Sequence, residues 1–359
     1  MMIGKINSFN FHSLFILNTF ALIVTSYIFN NYSFIAIFIL FFLISSLATK
    51  HGLKIITQLR LFQNIRNIGP AIHFNKKHTP TTGGIFIIIP FLILLLILSI
   101  NFYTIKILLL FFCVFGFFII GFLDDYLSIK NKKNTGLKSS EKFILQALIS
   151  IIFILLAYAR GYINPLIMVS NSSGIDSNIM ILPICFFTLV GLSNSVNLTD
   201  GLDGLASGCS ATVFYGLGTE ILLKDQQELI IFSVLCYSMS GLCLGFLKFN
   251  RYPAKIFMGD TGSLSIGAIL GSISIFTNSF FTLFIFSGIF ILESLSVIIQ
   301  VGFFKITKKL FNRGKRIFLM TPLHHHFELQ GIKEVKIVEN FWKINICLVI
   351  LGIVLKMNL

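Results

Sequence analysis

The sequence predicts an all-α, polytopic membrane protein of about ten transmembrane helices, and three observations carry that reading. Of its 359 residues 55% are hydrophobic and only 12% charged, with a mean hydropathy of +0.89. That is far more apolar surface than one water-soluble core encloses. Apolar runs of the ~20 residues needed to cross ~30 Å of hydrocarbon recur along the whole chain. Lys and Arg, finally, gather in alternate connections, as cytoplasmic loops do.

In chain order the spans fall near Phe15 to Leu47, Gly84 to Ile100, Ile105 to Leu123, Phe143 to Tyr158 and Met180 to Val196. They continue near Leu205 to Leu223, Leu229 to Leu247, Gly262 to Phe276, Phe280 to Phe304 and Phe341 to Leu355, with Thr277-Asn278-Ser279 as a very short connection. The opening run exceeds a signal-peptide core and has no clear small-residue cleavage site, so it reads as a retained span. Loops after spans one, three, seven and nine hold 22 basic residues, whereas the opposite loops hold Lys106, Arg160 and Lys224. Odd loops are therefore expected in the cytoplasm and both termini outside. Topology thus accounts for the net charge of +14 without a nucleic-acid partner, and the basic loops lack aromatic stacking patterns. The six cysteines show no metal-ligand spacing and read as small core residues. No soluble domain, linker or repeat interrupts the chain, so residues 1–359 are expected to form one membrane domain.

Ionisable groups at membrane depth are costly and point to function. Asp124, Asp125, Asp200, Asp203 and Asp260 all fall at the expected cytoplasmic face, in Gly- and Asn-rich settings unlike the Lys- and Glu-rich ends of solvated helices. Asn194, Asn197, Asp200 and Asp203 recur every third position, which on a helix end makes one polar stripe. Gly201 and Gly204 let backbone approach a ligand. Asp260 stands between glycines at the start of an apolar run, where a plain helix N-cap would also place an acid. Adjacent Asp124 and Asp125 diverge by ~100° on a helix and so serve different roles, one toward a metal and one toward a proton or lysine. Oxygen ligands without nearby His or Cys favour magnesium or manganese.

Basic and aromatic residues supply the other half of such a site. Lys76 and Lys77 precede the hydroxyl- and Gly-containing turn Thr79-Pro-Thr-Thr-Gly-Gly84, which suits an anion or simple membrane anchoring. Consecutive His324, His325 and His326 ill suit a single metal and better suit hydrogen bonding to phosphate or sugar oxygens. Glu293 and Gln300 share a helical face, with Glu293 expected to be paired inside the bundle.

Taken together, Thr79 to Gly84, Gly121-Phe-Leu-Asp-Asp-Tyr126, Asn194 to Ala206, Phe257-Met-Gly-Asp-Thr-Gly-Ser263 and Pro322-Leu-His-His-His-Phe-Glu328 resemble the phospho-N-acetylmuramoyl-pentapeptide transferase family. The likeness runs in order over nearly the whole chain, and the triple-His block separates it from the sister transferases of N-acetylglucosamine-1-phosphate. The resemblance implies a homodimeric, Mg2+-dependent enzyme of a bacterial inner membrane. UDP-N-acetylmuramoyl-pentapeptide and undecaprenyl phosphate would give UMP and the first lipid-linked peptidoglycan precursor. By residue match Asp124, Asp125 and Asp260 are the catalytic acids, with Asp260 the magnesium ligand. Asn194, Asp200, Gly201, Leu202, Asp203, Asn250, Phe257 and Gln300 match positions around the nucleoside, Phe257 stacking on uracil. Lys76, Thr81, Ser263, His324 and His325 match further polar positions of the cleft, and Asn197 and His326 complete the expected substrate-binding set. Direct attack by the polyprenyl phosphate, with Asp124 taking its proton, stands beside a covalent route through an aspartate. Three positions depart from the family pattern: Thr82 replaces Met, His78 replaces Gly, and Lys248 stands where an aromatic is common. An ion-coupled transporter is the rival reading, but its acids should lie near the midplane of two inverted halves, whereas these cluster at one face.

Overall fold

The computed structural model describes residues 9–59, 62, 79–102, 104–131, 136–168 and 174–358. Apart from one short hairpin and the turns that connect them, these residues form helices, as they must where lipid offers backbone groups no hydrogen-bond partner. Helices α1 (Phe11–Ile28), α2 (Ser33–Gln58), α3 (Ile85–Phe102), α4 (Ile105–Lys130) and α5 (Ser139–Ala159) come first. An antiparallel pair follows, β1 (Leu166–Met168) with β2 (Gly174–Asp176), in the register Ile167 opposite Ile175. Next are α6 (Ile181–Thr199), α7 (Leu205–Leu222), α8 (Ile230–Asn250), α9 (Gly259–Thr277) and α10 (Phe280–Phe286). The last three are α11 (Gly288–Phe311), α12 (Leu323–Leu329) and α13 (Glu334–Asn358). Among the described residues 8 helices are long and apolar enough to cross a membrane, and the protein is an all-α polytopic membrane protein.

Small residues decide which helices lie at the centre. Between membrane helices the hydrophobic effect gives little drive, so close packing of backbones supplies it. A Cβ on Gly241 or Gly245 of α8 would sit 2.4 Å from Phe38 O or Phe42 O of α2. One on Gly267 of α9 would sit 2.4 Å from the Cα of Ser193 in α6. Every residue of α9 from Thr261 to Thr277 is buried, while α4, α5 and α11 present exposed Ile, Leu and Phe to lipid.

Two expected spans need correction. The run Phe15 to Leu47 is not one span but the pair α1 and α2, reversed at Phe29–Tyr32, where Asn30 adopts φ +49° and Asn31 N–H reaches Ser26 O at 2.9 Å. Asn tolerates this left-handed conformation, so an Asn-Asn pair inside an over-long apolar run is a reversal signal. Asn10 caps α1, its Oδ1 accepting the N–H groups of His12 and Ser13 at 2.9 and 3.2 Å, and Phe11 lies under Arg251 at the end of α8. The chain therefore gains a crossing. Its first described residues lie on the face where α8 ends, and α13 ends beside α10 on the opposite face. The run Phe280 to Phe304 is likewise broken, at Ser287 between α10 and α11, a Ser-Gly step of the kind that interrupts membrane helices.

On that opposite face Lys224 is not a stray exception to the charge pattern. Its Nζ lies 3.1 Å from Glu220 Oε1 and donates to Ser279 Oγ at 2.8 Å and to Thr277 O, while Ser279 Oγ donates to Glu220 Oε2 at 2.7 Å. This buried pair ties α7 to the turn between α9 and α10, and burial pulls the Lys224 amine below its ordinary range despite Glu220.

Candidate active site

The site is built where the end of α4 meets the start of α9. The first N–H groups of a helix have no partner within it, and here Asp125 supplies one from another helix. Its Oδ1 accepts Asp260 N–H at 3.0 Å, and its Oδ2 accepts Thr261 N–H at 3.0 Å and Thr261 Oγ–H at 2.6 Å. Gly259 makes the approach possible: its φ is +72°, and a Cβ there would lie 2.5 Å from Asp125 Oδ2. Asp260 is thus in the first turn of α9 and is not its N-cap, a position held by Met258.

Asp124 points elsewhere, as two adjacent helical residues do. Its Oδ1 accepts Leu137 N–H at 2.9 Å and its Oδ2 lies 3.3 Å from Lys142 Nζ. Lys142, in the first turn of α5, also pairs with Asp260 Oδ2. The other Asp260 oxygen accepts Asn197 Nδ2–H at 2.8 Å, and the same amide nitrogen reaches Ser263 Oγ at 2.9 Å. Carboxylate oxygens of Asp124, Asp125 and Asp260 all lie within 4.8 Å of one another. Such an all-oxygen set, two of whose members already share a cation, fits a hard divalent ion.

The polar stretch after Asn194 is only half helical. Asn194 and Asn197 ride on α6, but the helix ends at Thr199, and Asp200 to Gly204 form a turn, so the expected stripe breaks in the middle. Asn194 Nδ2 donates to Gln146 Oε1 at 2.8 Å. Burial, reinforced by Asp260 and Asp125, pushes the Asp200 carboxyl well above the usual range. Asp203 is buried: its N–H donates to Glu334 Oε1 and its Oδ2 accepts Ala254 N–H, at 2.8 and 2.9 Å. Leu202 beside it is buried too. Asn250 accepts from Ser207 and donates to Ile256 O, which fixes the approach to Phe257.

Two motifs far apart in sequence join main chain to main chain. Phe257 N–H donates to Pro80 O at 2.8 Å, Gly83 N–H to Phe257 O at 2.9 Å and Gly84 N–H to Met258 O at 2.8 Å. Phe257 is left half-buried, Thr81 is buried beneath this ladder, and Thr82 holds φ +64°, a conformation costly for a β-branched residue. Lys76 and His78 lie outside the described residues.

The three histidines part company on α12. His324 is buried against Glu293 of α11, and a Cβ on Gly201 would meet its Nε2 at 2.2 Å, so it abuts the Asp200 turn. His325 Nδ1 pairs with Glu328 at 2.7 Å. His326 turns away, its Nδ1 accepting Leu319 N–H at 3.2 Å. Gln300 does not present a free amide: Oε1 accepts from Ile317 and Phe318, and Nε2 donates to Phe318 O. It braces the segment leading to α12. Lys142, Gln146 and Glu334 enter the site without having been singled out in the sequence. For the first two a signal existed, since Lys142 and Gln146 stand one turn apart on a helix that is mostly apolar beyond Glu141.

Clustered carboxylates, a shared cation and close backbone turns at one end of a lipid-facing bundle define a membrane transferase of the kind that handles phosphates. Residues 107–278 match the model of Glycosyl transferase family 4. A phospho-N-acetylmuramoyl-pentapeptide-transferase of Prochlorococcus marinus strain MIT 9301 is 75% identical over 358 residues, covering 100% of each chain. Proteins of the same name from P. marinus strain NATL2A and Synechococcus sp. strain CC9311 are 48% and 41% identical, over 88% of this chain and 85% and 86% of theirs. The chain belongs to the phospho-N-acetylmuramoyl-pentapeptide transferase family, and it is an enzyme, a phosphoglycosyl transferase of peptidoglycan precursor synthesis.

Proposed function

We propose that the protein, acting as one membrane domain and as a homodimer in a bacterial inner membrane, moves phospho-N-acetylmuramoyl-pentapeptide from UDP to undecaprenyl phosphate. The juxtaposition of Asp124, Lys142 and Asp260 at one end of the bundle is the observation that carries this reading. The basic loops of that face support a cytoplasmic position for it, on the side of the nucleotide substrate.

A phosphate oxygen of the lipid attacks the sugar-linked phosphorus, a new P–O bond forms, and the bond to UMP breaks with its electrons staying on UMP. Such a transfer needs alignment and charge neutralisation more than covalent help from the protein. Asp124, tied to Leu137 and Lys142, takes the attacking phosphate's remaining proton or aligns it. Asp260, with Asp124 beside it, would hold Mg2+, which supplies neutralisation of the diphosphate charge. Asn197 and Ser263 orient Asp260. Phe257, half-buried and fixed by the ladder to Pro80 and Gly83, offers a face for uracil, with Asn194, Asp200, Gly201, Leu202, Asp203 and Asn250 around the nucleoside. Lys76, Thr81, His324 and His325 complete the cleft.

Purified protein supplied with UDP-N-acetylmuramoyl-pentapeptide, undecaprenyl phosphate and magnesium should release UMP and a lipid-linked product. If UDP-N-acetylglucosamine served instead and the muramoyl substrate did not, the sister-transferase reading would replace this one.

A further inference from the structure

On the site-bearing face, but apart from the three clustered carboxylates, the ends of α1, α8 and α13 enclose a cavity of about 300 Å³. One part of its wall is basic, with Lys248, Arg251 and Lys255, and another is aromatic, with Phe11, Phe249 and Trp342. Arg251 lies 4.9 Å from the ring centre of Phe11, and Lys248 Nζ lies 5.9 Å from that of Phe249. Two acids also line the cavity, Asp203 and Glu339. Asp203 Oδ2 accepts the Ala254 N–H, and three cations against two acids leave the lining net positive. Among the described residues none of the three cations forms an ion pair with a carboxylate. Their charge is therefore available to a ligand.

The position of the cations selects the chemistry of that ligand. They stand where membrane helices end, at headgroup depth, and basic pockets between helix ends recognise anionic headgroups. Aromatic rings in the same wall suit the region where a headgroup passes into its apolar chains. We propose that this cavity binds the phosphate of an anionic phospholipid from the adjoining leaflet.

Occupancy would reach the nucleoside side through the backbone. The segment 248–255 that forms the basic wall donates Ala254 N–H to Asp203 and leads directly into Ile256, which Asn250 holds, and Phe257. A bound headgroup thus steadies the segment from which Asp203 and Phe257 are positioned, without touching the reacting phosphates.

The test uses the full-length protein, extracted from membranes and examined by native mass spectrometry, then reconstituted in phosphatidylcholine vesicles with or without phosphatidylglycerol. Wild-type protein should retain phosphatidylglycerol through detergent exchange and unfold at higher temperature in the vesicles that contain it. The variant Lys248→Gln/Arg251→Gln/Lys255→Gln should lose both effects. Val335→Trp, which fills the cavity from α13 and leaves every cation in place, should lose the bound lipid too, and it decides the matter if the triple variant does not fold. Lys305→Gln/Lys308→Gln/Lys309→Gln, on α11, should retain it. Equal lipid retention by wild type and Val335→Trp would overturn the proposal, as would equal loss from the α11 variant. So would inorganic phosphate stabilising the delipidated protein as fully as the lipid does, since the site would then be one for a free anion.

Discussion

Glu293 takes hold of His324 twice: one carboxylate oxygen accepts the backbone N–H at 3.2 Å and the other lies 3.2 Å from Nδ1, with both side chains 1% exposed. The carboxylate thus sits beside Nδ1, and Nε2 faces the Gly201 turn. Glu293→Gln, which removes the charge beside the ring, should lower kcat/KM by roughly ten- to a hundredfold, about 1.4–2.7 kcal/mol. A shifted pH profile of kcat would mark a positioning role. A lower melting temperature with unchanged kcat and pH profile would reduce the pair to packing.

Asp125 should prove as much a structural residue as a catalytic one, because it closes the N-terminus of α9. Asp125→Ala should destabilise the protein by about 1–2 kcal/mol, as loss of an N-cap does, and Asp125→Asn by less. Thermal unfolding in detergent measures both. Equal stability of Asp125→Ala and wild type would mean that the α9 amides find another acceptor.

Asp260→Asn and Asp124→Asn should fail differently. The first removes the charge that holds a hard cation, so Mn2+ binding by calorimetry should weaken along with turnover, with partial recovery at high metal. The second should leave most metal binding and lose turnover, since the attacking phosphate is no longer deprotonated or aligned. Wild-type metal affinity in Asp260→Asn would remove it from the metal site.

For the nucleoside pocket the expected loss is of stacking. Phe257→Ala should weaken UDP-substrate binding about thirtyfold, the middle of the ~1–3 kcal/mol that base stacking is worth. Phe257→Tyr should be mild. An unchanged Michaelis constant in Phe257→Ala would return the ring to packing.

On the far face, Glu220→Ala strands the buried Lys224 amine and should cost about 3 kcal/mol of stability. The double change Glu220→Met with Lys224→Met should recover most of it. Should the single and double variants melt together, the pair does not hold α7 to the α9–α10 turn.

Much of this site was legible because acids are expensive in a membrane: Asp124, Asp125, Asp200, Asp203 and Asp260 stand out against an apolar background, and all fall at one face. Lys142 was hidden for the opposite reason. A lysine near a helix end is what membrane orientation already demands, so its contact with Asp124 and Asp260 has no signature beyond its one-turn spacing from Gln146. Gln300 shows the reverse error, a polar residue on a buried face whose amide is spent on backbone 17 and 18 residues away, a pairing invisible in local sequence. The α1–α2 reversal was missed because apolar length was weighed before the Asn30-Asn31 step inside it.

That reversal also puts the start of α1 and the end of α13 on opposite faces. With α1 beginning on the face of the site and α13 ending on the other, a reporter fused before α1 and one fused after α13 would report from different compartments. A fluorescent protein that matures only in the cytoplasm should light up on one end alone, so the enzyme can be tagged near its substrates at one terminus and displayed away from them at the other.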